Sequence, residues 1–108
     1  MIDYEEFISV DMRVGTIKSA RLNETARKPA YVLDIDFGDL GTRTSSAQIT
    51  KLYSAQDLVG RQVICVVNFP PKVVAGVKSE VLLLGVDSYS GVVLLSLDRQ
   101  VANGQRVY

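Results

Sequence analysis

From Tyr31 to Phe37 apolar and polar positions take turns, with Tyr31, Leu33, Ile35 and Phe37 on one parity and Val32, Asp34 and Asp36 on the other. A period of two predicts a β-strand with one face in a core. Met12 to Leu22 predicts a longer strand before it. There Val14 and Ile17 are three apart, out of phase for a regular strand, and a bulge at Gly15 accounts for the slip. After a turn at Gly38–Gly41, Thr42 to Ile49 predicts a third strand. Its small polar residues Thr44, Ser45, Ser46 and Gln48 are expected to face outward.

Two further runs, Val63 to Val67 and Val81 to Leu84, are apolar on both parities. An antiparallel strand with one wet face alternates, so these two are expected to be covered on both faces. A single small core covers one. The other is expected to meet a second copy of the chain or a bound apolar segment. Between the runs, Pro70 and Pro71 fix φ and offer no N–H to a ladder, so strand pairing is expected to stop there. The connection carries Asn68, Phe69, Lys72, Lys78 and Ser79. Gly85 to Gly91 predicts a turn, Val92 to Leu97 a sixth strand, and Asn103-Gly104, between Val101 and Val107, a terminal hairpin.

Helical signals are short. Asp3 with Glu6, and Ser54 with Asp57, each have the spacing of a capped first turn. Tyr4, Phe7 and Ile8 share a face of the first helix, which is too short to stand alone and must dock. Ile49, Leu52, Tyr53, Leu58 and Val59 give the second segment an apolar side suited to plugging a barrel. Three strands, a short helix and further strands predict an all-β OB-fold, a five-stranded Greek-key barrel. One domain spans 1–108, with an N-terminal helix and a C-terminal hairpin as extensions. SH3-like barrels share the strand count and usually lack the inserted helix.

The 47% hydrophobic content of the 108 residues is enough for a core. Net charge is zero, which argues against affinity through blanket phosphate neutralisation. Charge is nonetheless uneven. Residues 40–79 hold five bases (Arg43, Lys51, Arg61, Lys72, Lys78) against Asp57, and residues 1–11 hold four acids and no base. Arg13, Arg43, Lys51, Lys72 and Lys78 are candidates for a basic ligand face, with Ser45, Ser46, Gln48, Asn68, Phe69 and Ser79 as neighbours offering hydrogen bonds or an apolar contact. Each cation alone is ordinary solvated surface, and the polar third strand is also what keeps an edge from aggregating.

The chain has no histidine and a single cysteine, Cys65, inside an apolar run. No phosphate loop or nucleophile elbow occurs, and Asp34 with Asp36 lacks further ligands for a metal. The expectation is a protein with no metal, no cofactor and no catalytic residue, and so not an enzyme. An unpaired thiol fits a reducing compartment. No run reaches the ~18 apolar residues of a membrane helix, and the acidic N-terminus lacks a secretion signal. A cytoplasmic protein without membrane insertion is expected.

Several segments resemble one family. DMRVGTIKSA (11–20), YVLDIDFG (31–38), SSAQIT (45–50), VVNFPPK (66–72), GVKSEVLLLG (76–85) and the closing VANGQRV are similar to the CsaA-type secretion chaperones. These lie within the wider tRNA-binding OB-domain family, which includes the C-terminal domain of methionyl-tRNA synthetase. The wider family usually reads Ser-Glu-Gly-Met where this chain has Ser79-Glu80-Val81-Leu82, and that difference favours the CsaA branch. The resemblance implies a homodimer of OB barrels that binds unfolded or precursor polypeptides for export, with tRNA as a further ligand. The alternative it leaves open is a tRNA-binding module assisting a synthetase. Tyr4, Phe7, Ile8, Val81, Leu83, Val93, Val101 and Val107 are the side chains expected at the dimer contact.

Overall fold

A computed structural model describes residues 1–108. A five-residue helix, α1 (Tyr4–Ile8), leads into the long strand β1 (Met12–Leu22). β2 (Tyr31–Asp36) and β3 (Thr42–Ala47) follow as a hairpin, then the short helix α2 (Ala55–Leu58) and β4 (Gln62–Val66). β5 (Lys72–Val74) and β6 (Val77–Ser79) form a ribbon. β7 (Leu82–Leu83) returns to the barrel, and β8 (Gly85–Ser88) with β9 (Gly91–Leu94) forms a second ribbon. The barrel sheet has the order β3-β2-β1-β4-β7 and is entirely antiparallel. β3 approaches β7 where the Glu80 amide donates to the Thr44 carbonyl at 2.8 Å and Ser45 Oγ to the Val81 carbonyl at 3.2 Å. The result is the nearly closed, five-stranded barrel expected of an OB-fold.

The alternation along β2 does what its period demands. Leu33, Ile35 and Phe37 are fully buried and Tyr31 nearly so, in one cluster with Ile17, Val63, Cys65 and Leu58. Leu58 comes from α2, which plugs the barrel and is capped by Ser54 Oγ accepting the Asp57 amide at 3.1 Å. Asp34 is held as well as half-buried, accepting Ser19 Oγ at 2.8 Å and Thr44 Oγ1 at 2.9 Å. α1 is capped as expected, Asp3 Oδ1 accepting the Glu6 amide at 2.8 Å. It buries no residue in this chain.

Six expectations need correction. Gly85 to Gly91 is not all turn: Gly85–Ser88 is the strand β8, and only Ser88–Gly91 turns. The register shift of β1 falls between Ile17 and Ser19, not at Gly15. Gly15 instead marks the corner: β1 pairs with β4 through Met12–Thr16 and with β2 from Thr16 onward. Ser45 faces inward, 1% exposed, because β3 alternates and Ser45 shares the parity of buried Ala47. Residues 72–79 are a hairpin rather than an unpaired connection. Ala75 (φ 47°) and Gly76 (φ 80°) both take positive φ, the mark of a type I′ turn. The Asn103-Gly104 turn forms, but its outgoing arm pairs with β1. Gly104 N donates to Val14 O and Val107 N to Met12 O. Finally, β4 is buried on both parities within one chain, with Ile64 at 8% and Val66 at 5% exposure beside the core residues Val63 and Cys65. Its double coverage therefore needs no second copy. No helix is long and apolar enough to cross a membrane.

Candidate binding surface

Several predicted site residues are occupied holding the fold together. Arg13 grips Asp11 from Nε at 2.6 Å and reaches the Gly104 carbonyl at 3.0 Å, which ties the tail to β1. Asn68 clamps the N-terminal segment: its Oδ1 accepts the Asp11 amide at 3.0 Å and its Nδ2 donates to the Ser9 carbonyl at 2.8 Å. Ser79 Oγ accepts the Ser46 amide at 3.1 Å, and Glu80 Oε1 accepts the Thr44 amide at 3.1 Å, so these two side chains finish the outer edge of β3. Ser45 is buried. Four of the candidates, Arg13, Ser45, Asn68 and Ser79, thus have structural partners.

Lys51, Lys72 and Lys78 are exposed, Arg43 and Ser46 are half-buried, and Phe69 is 54% exposed. The ribbon register separates the two lysines of the connection. Lys72 lies opposite Ser79, while Lys78 lies opposite Val73. Partners directly opposite share a face and successive residues alternate, so Lys72 and Lys78 point to opposite sides of the ribbon and do not rim one pocket.

What the fold does bring together is a pair of clefts on the β3 side of the barrel. One, of about 490 Å³, lies between the β1–β2 loop, the end of β3 and the tip of the β8–β9 ribbon, and is bordered by Lys28, Lys51 and Tyr89. The second, of about 510 Å³, lies between the β1–β2 loop and the tip of the β5–β6 ribbon, and is bordered by Arg27, Lys28 and Val74. Lys28 and Gln48 line both. Arg27, Lys28 and Lys51 make no ion pair; the four that form involve Arg13, Arg21, Arg99 and Arg106. The one acid on the walls of either cleft is Asp87. Arg27, Lys28 and Tyr89 were not among the predicted site residues. The adjacent Arg27-Lys28 pair in a polar loop was the available signal, and nothing in the sequence placed Tyr89 near it.

The expected dimer residues divide by parity. Leu83 pairs with Cys65 of the core, so Leu83 and the 4%-exposed Val81 point into the barrel and Leu82 points out. Val86 and Val93 sit opposite each other on the outer face of the second ribbon. Leu82, Val86 and Val93 are 50%, 53% and 37% exposed. Tyr4, Ile8 and Val101 are also exposed, while Phe7 and Val107 are half-buried. Burial in the core removes Val81 from any surface.

Chemistry is muted. Burial pushes the Cys65 thiol up from 9.0 to about 12, so at neutral pH it is protonated and a poor nucleophile. No group of three or more acids, cysteines or histidines is placed to hold a metal ion.

Comparison with known proteins fits this picture. Residues 12–106 match the tRNA binding domain model. Along its whole length the chain is similar to the chaperone CsaA from Bacillus anthracis strain Ames, with 50% identity, a TM-score of 0.94 and coverage of 99% of that chain. It is equally similar in shape to the CsaA chaperone from Picrophilus torridus, with 46% identity, a TM-score of 0.94 and full coverage of both chains. Among curated relatives, the methionine–tRNA ligase of Thermococcus onnurineus is 35% identical over 106 residues, which are 98% of this chain and 14% of that ligase. The chain thus spans about one-seventh of that relative's length.

Proposed function

The chain belongs to the tRNA binding domain family, and from that premise we propose that it is a homodimeric cytoplasmic chaperone for unfolded or precursor polypeptides, on the way to export. The observation that carries this reading is the likeness, end to end, to two proteins named as CsaA chaperones, against a match to only a small part of a ligase. Two features of the surface support it. Arg13, one of the five candidates for a basic face, is held by Asp11 and Gly104, which thins that face. Leu82 on β7 and the Val86–Val93 pair on the second ribbon leave apolar side chains exposed, and exposed apolar surface is what a two-fold interface would bury.

The test is suppression of aggregation. A chemically unfolded preprotein diluted into buffer should stay soluble in the presence of this protein, with weak dependence on salt, because burial of apolar surface is barely screened. Continued aggregation at a several-fold excess of the protein would sink the reading.

The second reading is a tRNA-binding module that assists a synthetase. The unpaired cations Arg27, Lys28 and Lys51 around the two clefts favour it. It requires binding of bulk tRNA with a steep linear fall of log K against log salt. A shallow slope, or no binding at low salt, removes it.

A further inference from the structure

The second cleft is bridged from bank to bank. Its two banks are the β1–β2 loop and the β5–β6 ribbon, and the tips of both meet at one atom, the carbonyl oxygen of Ala75. Asn23 Nδ2 donates to it at 3.2 Å and Thr25 Oγ1 at 2.8 Å. Thr25 and Ala75 both line the ~510 Å³ space, which is also bordered by Arg27, Lys28, Ser46 and Gln48.

Three features make the bridge easy to open. The Thr25 hydroxyl has one proton and two acceptors in reach, since Asn23 Oδ1 of its own loop lies 2.9 Å away. It can therefore release Ala75 without losing a hydrogen bond. The loop keeps its shape when it does so, because Asn23 Oδ1 also accepts the Thr25 amide at 3.1 Å, a turn closed by an asparagine side chain. On the other bank the ribbon is anchored only at its base, by the Ser79 and Glu80 bonds to β3. No ribbon residue from Lys72 to Ser79 is buried. Ala75, the one non-glycine residue at positive φ, adds strain at the tip itself.

We infer that the clasp of Asn23 and Thr25 on Ala75 is the gate of a binding cleft, and that its occupant is an extended polypeptide segment carrying a carboxylate. This rests on the polypeptide reading above. Bridged banks exclude a folded body and admit a single extended chain. Arg27 and Lys28 stand at the wall without an acid partner and complement a carboxylate. The Ser46 and Gln48 side chains offer hydrogen bonds to a passing backbone.

The gate and the site are tested separately in the intact protein. Without any ligand, amide exchange across 72–79 is compared among the wild type, Thr25→Ser and the double variant Asn23→Ala/Thr25→Val. Exchange should quicken about tenfold in the double variant, the factor that ~1.4 kcal/mol of lost clasp provides, and stay put in Thr25→Ser, which keeps the hydroxyl. Unchanged protection in the double variant overturns the gate. The site is read by stopped-flow mixing with reduced, carboxymethylated α-lactalbumin, a permanently unfolded acidic chain. Association should speed up in the double variant, and binding should weaken about tenfold in Arg27→Glu. If the probe binds and neither change alters it, the polypeptide reading stands and the cleft is wrong. If the probe never binds and bulk tRNA does, with loss in Arg27→Glu, the occupant is RNA, and both the inference and the reading it rests on fall.

Discussion

Gly15 faces Phe37 across the barrel core with no room to spare. A Cβ at Gly15 would lie 2.7 Å from Phe37 Cε1 and 2.6 Å from Ile35 Cγ2. Both neighbours are fully buried, so neither can swing into solvent. Gly15→Ala is an overpacking change with an expected cost of about 1–3 kcal/mol. For a chain of this size each kcal/mol lowers Tm by roughly 4–8 °C. Calorimetry checks it, and a Tm within a degree of the wild type would mean that the corner relaxes freely.

Asn68 and Ser9 are joined over 59 positions of sequence by one hydrogen bond, with a second from the Asp11 amide to the same side chain. Asn68→Ala removes both. Each is worth about 0.5–1.5 kcal/mol, and the effect should be local because the partners are exposed. Amide exchange should rise selectively over residues 4–11. Asn68→Asp keeps the acceptor for Asp11 and should recover part of the protection. Equal protection in all three proteins would show that α1 is held by other contacts.

These two residues also mark where sequence reading succeeds and stops. The parity of Tyr31, Leu33, Ile35 and Phe37 was legible because alternation fixes phase. Asp3 and Ser54 were legible because a cap needs only three residues of context. Gly15 announced an irregularity, yet a glycine reads the same whether it marks a bulge or a close approach. Val81 to Leu84 gave no phase at all: a run apolar on both parities cannot say which side faces the core. The type I′ turn at 75–76 was hidden because alanine stands where asparagine usually does. Arg13, Asn68 and Ser79 looked available because their partners, Gly104, Ser9 and Ser46, are 91, 59 and 33 positions away. Hydrogen bonds of that range leave no local trace.

The Cys65 thiol should titrate against the fold. Its folded value is pushed from 9.0 to about 12 by burial. Below pH 9 the thiol is protonated in both states and stability does not depend on it. Between pH 9 and 12 the unfolded chain ionises and the folded chain does not, so stability falls as pH rises. Urea midpoints measured from pH 8 to 11 should decline in the wild type and flatten in Cys65→Ala, which starts from a lower midpoint. A thiol reagent at pH 8 should react only at the rate of unfolding. Immediate reaction with the native protein would contradict the burial.

Among the cations, structure separates those without an ion-pair partner from those that hold the fold. If tRNA binds at all, Lys28→Ala should lower the salt slope by about one, because Lys28 borders both clefts without an ion pair. Arg13→Ala should leave that slope unchanged and lower Tm, because its side chain serves Asp11 and the Gly104 carbonyl. The opposite pattern, with the slope following Arg13, would place the phosphate path at the tail.

The parity of Leu82 and Val81 gives the sharpest test of self-association. Leu82 is exposed, as are Val86 and Val93, and Val81 points into the core. A two-fold interface that buries these exposed side chains should be disrupted by Leu82→Glu with Val86→Glu, which bring like charges into the contact. Sedimentation should then report a monomer with near-native Tm at concentrations where the wild type is a dimer. Val81→Ala should do the reverse, keeping the dimer and costing about 0.5–3 kcal/mol of stability. β4 buries both of its faces inside one chain, so the exposed Leu82 of the second doubly apolar run, together with Val86 and Val93, is what argues physically for a partner. A wild type that sediments as a monomer, or a dimer that survives both charges, would leave these side chains without that role.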